Sequence, residues 1–145
     1  MITKKEIAFE IIQDLFVSST LTCTALLVSK AGFVPVVILK EICFAWIVNL
    51  IIGFTVPEGK IGQKLAEKLN LKGIPFFLIM MLVIVTINVI GISLCVVLKN
   101  VGLKKQFFDV WLGLFPVLMV VGYIAALVWF PLTGRITSVI FRNKD

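Results

Sequence analysis

The stretch IPFFLIMMLVIVTINVIGISLCVVL, residues 74–98, decides the fold class of this chain. Its only amide and hydroxyl side chains are those of Thr86, Asn88 and Ser93. A helix of this length rises by about 37 Å, which exceeds the roughly 30 Å hydrocarbon core of a bilayer. We therefore predict that this stretch is a transmembrane helix.

Three further apolar stretches approach the same length, and they run from about Ile7 to Val28, from Pro35 to Pro57 and from Phe108 to Leu132. Of the 145 residues, 60% are hydrophobic and 15% are charged, and the mean hydropathy is +1.11. This composition excludes a soluble globular domain, whose surface needs far more polar residues. The sequence thus predicts an all-α membrane protein with four transmembrane helices.

Most of the side chains used in catalysis and metal binding are missing or isolated. The chain contains no His, so it lacks an imidazole base and an imidazole metal ligand. Cys23, Cys43 and Cys95 each lie inside an apolar stretch without CxxC spacing, which is typical of packed thiols. We expect a protein that is not an enzyme and that has no cofactor and no metal site.

The distribution of basic residues predicts the orientation in the membrane. The formal net charge is +6, but Lys and Arg lie at the ends of apolar stretches, which indicates membrane topology and argues against a nucleic-acid partner. Nine basic residues fall on one side, namely Lys4, Lys5, Lys60, Lys64, Lys68, Lys72, Arg135, Arg142 and Lys144. Five fall on the other side, namely Lys30, Lys40, Lys99, Lys104 and Lys105. By the positive-inside rule we expect both termini and the central loop to be cytoplasmic, in the bacterial cytoplasmic (inner) membrane.

The chain divides into two halves that are built alike, residues 1–70 and 71–145. Each half has a span, a short turn with a glycine (Gly32 or Gly102), a second span, and then a proline followed by a glycine and a basic residue. That last motif is Pro57-Glu58-Gly59-Lys60 in the first half and Pro131-Leu132-Thr133-Gly134-Arg135 in the second. Because each half holds two spans, the prediction is two helical hairpins of one orientation, which is a parallel repeat.

The second span of each hairpin carries a family resemblance in its aromatic residues and closing proline. Ala45-Trp46 through Pro57, and Tyr123 through Pro131, resemble small bacterial inner-membrane proteins of unknown function (domain of unknown function 2798). This resemblance implies tandem two-helix hairpins as the architecture, and it implies no activity.

A second resemblance lies in the first half alone. Phe9-Glu10, together with Trp46 and Asn49, is similar to residues of the proteobacterial antimicrobial compound efflux transporters. Those proteins are also tandem pairs of helices with a glutamate in the first helix. The resemblance implies a transporter in which Glu10 takes part.

Polar side chains recur every four residues along the first span, at Glu6, Glu10, Asp14, Ser18 and Thr22. Residues four apart share a helix face, so these side chains form one polar stripe. Asp14 would lie about 10 Å along the span from Ile7, and a carboxylate at that depth is a candidate site for a proton or a cation. Asn49 lies at a similar depth in the second span and could hydrogen-bond to Asp14. In the alternative interpretation, the acids lie in the interface and pair with Lys4 and Lys5.

Amide and small residues in the later spans are predicted to hold helices together. Asn88 lies near mid-membrane, where its amide can hydrogen-bond to another helix. Gly122 and Ala126 form a small-xxx-small pair, and Gly91 with Cys95 forms another. Such pairs let helices approach closely, so they fit packing inside the bundle or a homodimer seam.

The linker from Glu58 to Lys72 is predicted to be an amphipathic surface helix. Its basic face holds Lys60, Lys64, Lys68 and Lys72, and the neighbouring face holds Ile61, Leu65 and Leu69. The basic face would attract anionic lipid by roughly 1 kcal/mol per charge, and a soluble partner could bind the same face.

Two functional hypotheses follow from these features. The first is a non-enzymatic accessory or interaction protein, acting through helix packing, the basic linker, anionic lipid of the inner leaflet or a membrane protein partner. The second is a small proton-coupled transporter of cationic compounds that uses the carboxylates of the first helix. The second half carries no mid-span charge, which favours the first hypothesis. A cavity that reaches Asp14 would favour transport, whereas Asp14 among lipid headgroups would argue against it.

Overall fold

The computed structural model describes residues 3–28 and 34–142, so Lys30, Gly32 and Lys144 lie outside the described residues. This part of the chain forms five helices, α1 (Lys4–Val28), α2 (Pro35–Thr55), α3 (Glu58–Lys68), α4 (Ile74–Val101) and α5 (Phe107–Arg142). All except α3 are long and apolar enough to cross a membrane. The prediction of an all-α membrane protein with four spanning helices is therefore confirmed.

Local sequence signals set the helix boundaries. Thr3 caps α1, because its hydroxyl accepts a hydrogen bond from the Glu6 amide (3.2 Å) while the Glu6 carboxylate accepts one from the Thr3 amide (2.7 Å). Pro75 stands in the first turn of α4, where its missing N–H has no intrahelical partner. α2 ends before Pro57, since Val56 is extended (φ −103°, ψ 120°) as the residue before a proline prefers.

The four spanning helices form a ring in the order α1, α2, α4, α5. α1 packs against α2 and α5, and α4 packs against the same two helices. The buried core inside the ring includes Leu21, Val85, Val89 and Leu118. In this arrangement α1 lies diagonally opposite α4, and the inner faces of all four helices meet around one axis.

Aromatic contacts fix the rotation of α1 against α5. The rings of Phe16 and Trp129 stack with centroids 4.3 Å apart, and the Trp129 indole N–H donates to the Thr20 hydroxyl (3.2 Å). About two turns nearer the start of α1, the Phe9 ring meets the edge of the Phe130 ring at 5.2 Å. With these rings on the α5 side, the acidic stripe of α1 turns toward the inside of the ring.

The linker forms an amphipathic helix, as the sequence predicts, but this helix is shorter than predicted and one of its faces packs against α4. α3 ends at Lys68, so Lys72 lies in the turn that leads to α4. The face of α3 that is buried against α4 holds Gly62 and Ala66, whereas the predicted apolar residues Ile61, Leu65 and Leu69 remain exposed. The physical reason is close approach, because the Cβ position of Gly62 lies only 2.8 Å from the Met80 carbonyl oxygen.

The second half also departs from its predicted boundary. The sequence predicts that the fourth span ends near Leu132, but α5 continues without interruption through Pro116 and Pro131 to Arg142. A proline inside a helix removes one backbone hydrogen bond and need not end the helix when the rest is packed. The similar motif at Pro57 does separate two helices. The two motifs therefore have different structures, and the parallel repeat of residues 1–70 and 71–145 stays a prediction.

Candidate functional site

A cavity of about 570 Å³ lies inside the ring, at the end where α1 begins and α5 finishes. All five helices contribute to its wall. The wall is mostly apolar and includes Phe9, Phe130, Met81, Ile84 and Val85. A space of this size could hold a small organic molecule, and its apolar wall would contact the body of that molecule.

Three acidic residues of α1 line this space, which we call the acidic cavity: Glu6 at its mouth, and Glu10 and Asp14 further along the helix. Glu10 and Asp14 are four residues apart and thus share one face of the helix, and Asp14 is only 7% exposed. Both face the glycine at position 53 of α2. A Cβ atom on Gly53 would lie 3.2 Å from Glu10 Oε1 and 3.8 Å from Asp14 Oδ2. The absence of a side chain at Gly53 therefore leaves room for the two carboxylates inside the ring.

Glu58 of α3 contributes a further carboxylate to the cavity. Glu58 is the first residue of α3, and both of its carboxylate oxygens accept hydrogen bonds from Asn88 Nδ2, at 3.0 and 2.9 Å. Burial raises the pKa of Glu58 to about 7; the hydrogen bonds from Asn88 lower this pKa and the nearby Glu10 raises it. Glu58 thus changes charge near neutral pH.

Sequence analysis did not single out Glu58, because it treated the residue as part of an exposed linker. Its position depends on the close packing of α3 against α4 through Gly62 and Ala66. These two residues form a small-xxx-small pair within the linker. That pair is the sequence signal that could have revealed a packed helix, and hence a buried Glu58.

Several buried oxygen atoms in the cavity wall have no hydrogen-bond partner. They are Gln13 Oε1, Asp14 Oδ2, Asn49 Oδ1 and Asn88 Oδ1, contributed by three different helices. All four are hydrogen-bond acceptors. Leaving a buried polar atom unpaired costs roughly 1 to 3 kcal/mol. A ligand that satisfies these atoms must supply N–H or O–H donors or a positive charge.

In the part of the chain that the structure describes, the carboxylates of the cavity form no ion pair with a basic side chain. Lys5 contributes to the wall at the mouth, but no ion pair joins Lys4 or Lys5 to an acid within residues 3–28 and 34–142. The ion pairs that the alternative interpretation predicts between these lysines and the acids of α1 do not form among these residues, whereas the position of the acids relative to the membrane interface stays a prediction. The one ion pair among the described residues joins Glu41 to Lys99 (2.6 Å), two residues that do not line this cavity.

The remaining polar residues that the sequence predicts to line a site lie partly inside and partly outside this cavity. Asn49 reaches the cavity, but the predicted hydrogen bond between Asn49 and Asp14 does not form among the described side chains. Ser18 is fully buried, and its hydroxyl has no partner. Thr22 is buried one turn further on and lines a different cavity. The stripe is therefore one face of α1, but only its first half belongs to the acidic cavity.

The residues predicted to pack helices lie inside the bundle. Asn88 joins α4 to α3 through Glu58, as described above. Gly91 meets Ile52 of α2, and the Cβ position of Gly122 lies 3.1 Å from both Leu21 and Val89. Ala126 is buried and lines the acidic cavity. The basic residues Lys60, Lys64, Lys68 and Lys72 are all exposed and lie away from the cavity wall.

Comparisons with protein-family models, with curated proteins and with solved structures find no match for this chain. The two family resemblances seen in the sequence therefore stay predictions. What the cavity does has to be inferred from its own chemistry.

Glu58 gives the first testable prediction. Because its pKa is about 7 in the folded protein and 4.5 ordinarily, the folded state holds this proton more tightly than the unfolded state does. Its contribution to the free energy of unfolding therefore falls as pH rises from about 4.5 to about 7, and stays level above that. We expect Glu58→Gln to flatten the pH dependence in this window. Urea unfolding in detergent at several pH values measures the free energy of unfolding of both proteins. If this free energy changes with pH equally in Glu58→Gln and in the natural protein, the prediction is wrong.

Proposed function

We propose that this protein is a small membrane transporter that binds a cationic organic compound in the acidic cavity. The observation that carries the proposal is a set of acceptors inside the ring, with Asp14, Glu10 and Glu58 facing one space and forming no ion pair among residues 3–28 and 34–142. Carboxylates in a site with little water attract a cation far more strongly than carboxylates at a surface do. A cavity that reaches Asp14 is also the feature expected of a transporter.

The walls of the cavity favour an organic cation over a bare metal ion. Phe9 and Phe130 line the cavity together with the carboxylates, and most of the wall surface is apolar. Aromatic faces attract cations, and apolar walls gain from contact with an apolar body. A compound with a positive group and an apolar body would match both parts of the wall.

Protons compete with a cation for the carboxylates of the acidic cavity. Glu58 ionises near neutral pH, so a cation that enters could displace a proton from the cavity. The cavity opens at the end of the bundle that holds the first residues of α1 and the last part of α5. By the positive-inside rule we place this end on the cytoplasmic side of a bacterial inner membrane. Proton-coupled efflux is the direction this arrangement supports.

Transport in proteoliposomes tests the proposal. Purified protein is reconstituted, and movement of tetraphenylphosphonium is followed under an imposed pH gradient. We expect flux that depends on the gradient and that falls in Glu10→Gln, because this change removes a charge without changing the shape of the side chain. Folded protein that gives no more flux than empty liposomes, across a panel of organic cations, would overturn the proposal.

An accessory role is the second candidate, and the exposed side of α3 favours it. This side presents Lys60, Lys64 and Lys68 beside the exposed apolar residues Ile61 and Leu65. Such a surface suits anionic lipid or a protein partner, and a homodimer is compatible with it. Absence of flux, together with a membrane protein that copurifies only while these lysines are present, would favour this role.

A further inference from the structure

A second cavity of about 360 Å³ lies inside the ring at the opposite end of the bundle. Its wall includes Thr22 of α1, Glu41 of α2, Ser93 and Asn100 of α4, and Leu114 of α5. All four spanning helices contribute to it, as they do to the acidic cavity. The two cavities therefore lie along one axis and approach opposite ends of the bundle.

One apolar layer separates the two cavities. Leu21 of α1 and Val89 of α4 are each only 1% exposed, and they meet over Gly122 of α5. A Cβ atom on Gly122 would lie 3.1 Å from Leu21 Cδ2 and 3.1 Å from Val89 Cγ2. Val89 lines the acidic cavity and Leu21 lines the second cavity. Leu21 and Val89 are therefore among the side chains that have to move for the two spaces to join.

The second cavity has its own carboxylate, and that carboxylate already binds a cation. Glu41 Oε1 accepts a hydrogen bond from the Lys99 ammonium at 2.6 Å, and the Glu41 side chain is 17% exposed. Lys99 has a further stabilising contact, because its ammonium lies 4.6 Å from the centroid of the Phe44 ring. Lys99 is also partly exposed to solvent. Its ammonium could therefore leave Glu41 without becoming a buried, unpaired charge.

We propose that the second cavity is a second binding station for the same cationic compound, where Glu41 exchanges its Lys99 partner for the cation after the compound passes Leu21. This inference rests on the proposed function, and it adds the site through which the compound leaves the bundle. Glu41 offers the same chemistry as the acidic cavity, a carboxylate beside an apolar wall. Lys99 acts as the resident competitor, which returns to Glu41 and releases the compound.

Three matched variants test this inference, with both flux and equilibrium binding of tetraphenylphosphonium measured for each. We expect Glu41→Gln to lower flux by about tenfold or more, because a charge partner in a partly desolvated site is lost. Binding in the acidic cavity should persist, because Glu41 is not part of its wall. Lys99→Gln should strengthen tetraphenylphosphonium binding, since Glu41 then has no competitor, and should lower flux, since no ammonium then displaces the bound compound. The control is Glu67→Gln on the exposed side of α3, where Glu67 accepts a hydrogen bond from Gln63.

Lys99→Gln separates this inference from a purely structural ion pair. If Glu41 and Lys99 only hold α2 to α4, both variants should lower stability alike and Lys99→Gln should not strengthen binding, and that result would overturn the inference. If Glu41→Gln transports tetraphenylphosphonium as fast as the natural protein does, the inference is also overturned, but the proposed transporter function is unaffected. Absence of flux in the natural protein would instead remove the proposed function itself.

Discussion

Replacing Asp14 by Asn is expected to weaken the binding of tetraphenylphosphonium by at least about 30-fold, which corresponds to the lower end of the roughly 2 to 5 kcal/mol lost when a buried charge partner is truncated. Asn has the shape of Asp and keeps one acceptor oxygen, so the change removes charge with little change in packing. Asp14 is the most deeply buried acid of the cavity, and one of its oxygens has no partner. A cation in the cavity would therefore lose its best desolvated contact.

Asp109→Asn is the matched control for this experiment. Asp109 lies in the first turn of α5, is exposed, and does not line the acidic cavity. Its replacement should leave binding within about twofold, as is usual for an exposed charge far from the site. Equal binding by Asp14→Asn and the natural protein would mean that the cation binds elsewhere, for example in the detergent or lipid.

Gly62→Ala is expected to destabilise the protein although alanine favours helices more than glycine does. The added Cβ would lie 2.8 Å from the Met80 carbonyl oxygen and 3.2 Å from Met80 Cα, so α3 must move away from α4. Overpacking of this kind typically costs about 1 to 3 kcal/mol, which outweighs the gain of up to about 1 kcal/mol in helix propensity. Thermal unfolding in detergent should show a lower midpoint, and the displacement of α3 should also withdraw Glu58 from the cavity.

Gly59→Ala supplies the comparison within the same helix. A Cβ atom at Gly59 would have no neighbour within 4 Å, so only the change in helix propensity remains. Its midpoint should equal or exceed that of the natural protein. If Gly62→Ala and Gly59→Ala shift the midpoint equally, α3 does not pack against α4 as described, and Glu58 loses its place in the site.

Much of the site could be predicted from the first helix alone. Spacing of four residues places Glu10 and Asp14 on one face whatever surrounds that helix, and the depth of Asn49 follows from helical rise. The lengths of the apolar stretches likewise predict four spans. These inferences succeed because they use geometry within a single helix and one physical property, hydrophobicity.

The other features of the site depend on contacts between helices, and the spacing of residues within one helix does not predict those contacts. Glu58 becomes a cavity residue only because Gly62 and Ala66 allow α3 to pack against α4. The prolines show the same limit, since Pro57 separates two helices whereas Pro131 lies within one. The ion pair of Glu41 could not be predicted for the same reason, because its partner Lys99 belongs to another helix, far along the chain.

Proton release on binding tests the central claim most directly, which is that carboxylates of the acidic cavity bind a cation in place of protons. Tetraphenylphosphonium has no titratable group, so any proton that the buffer takes up on binding comes from the protein. Calorimetric titration at pH 7 in two buffers of different ionisation enthalpy counts these protons. We predict a net release near pH 7, where Glu58 changes charge, and a smaller release in Glu58→Gln. Binding by folded protein without any proton release would contradict this account.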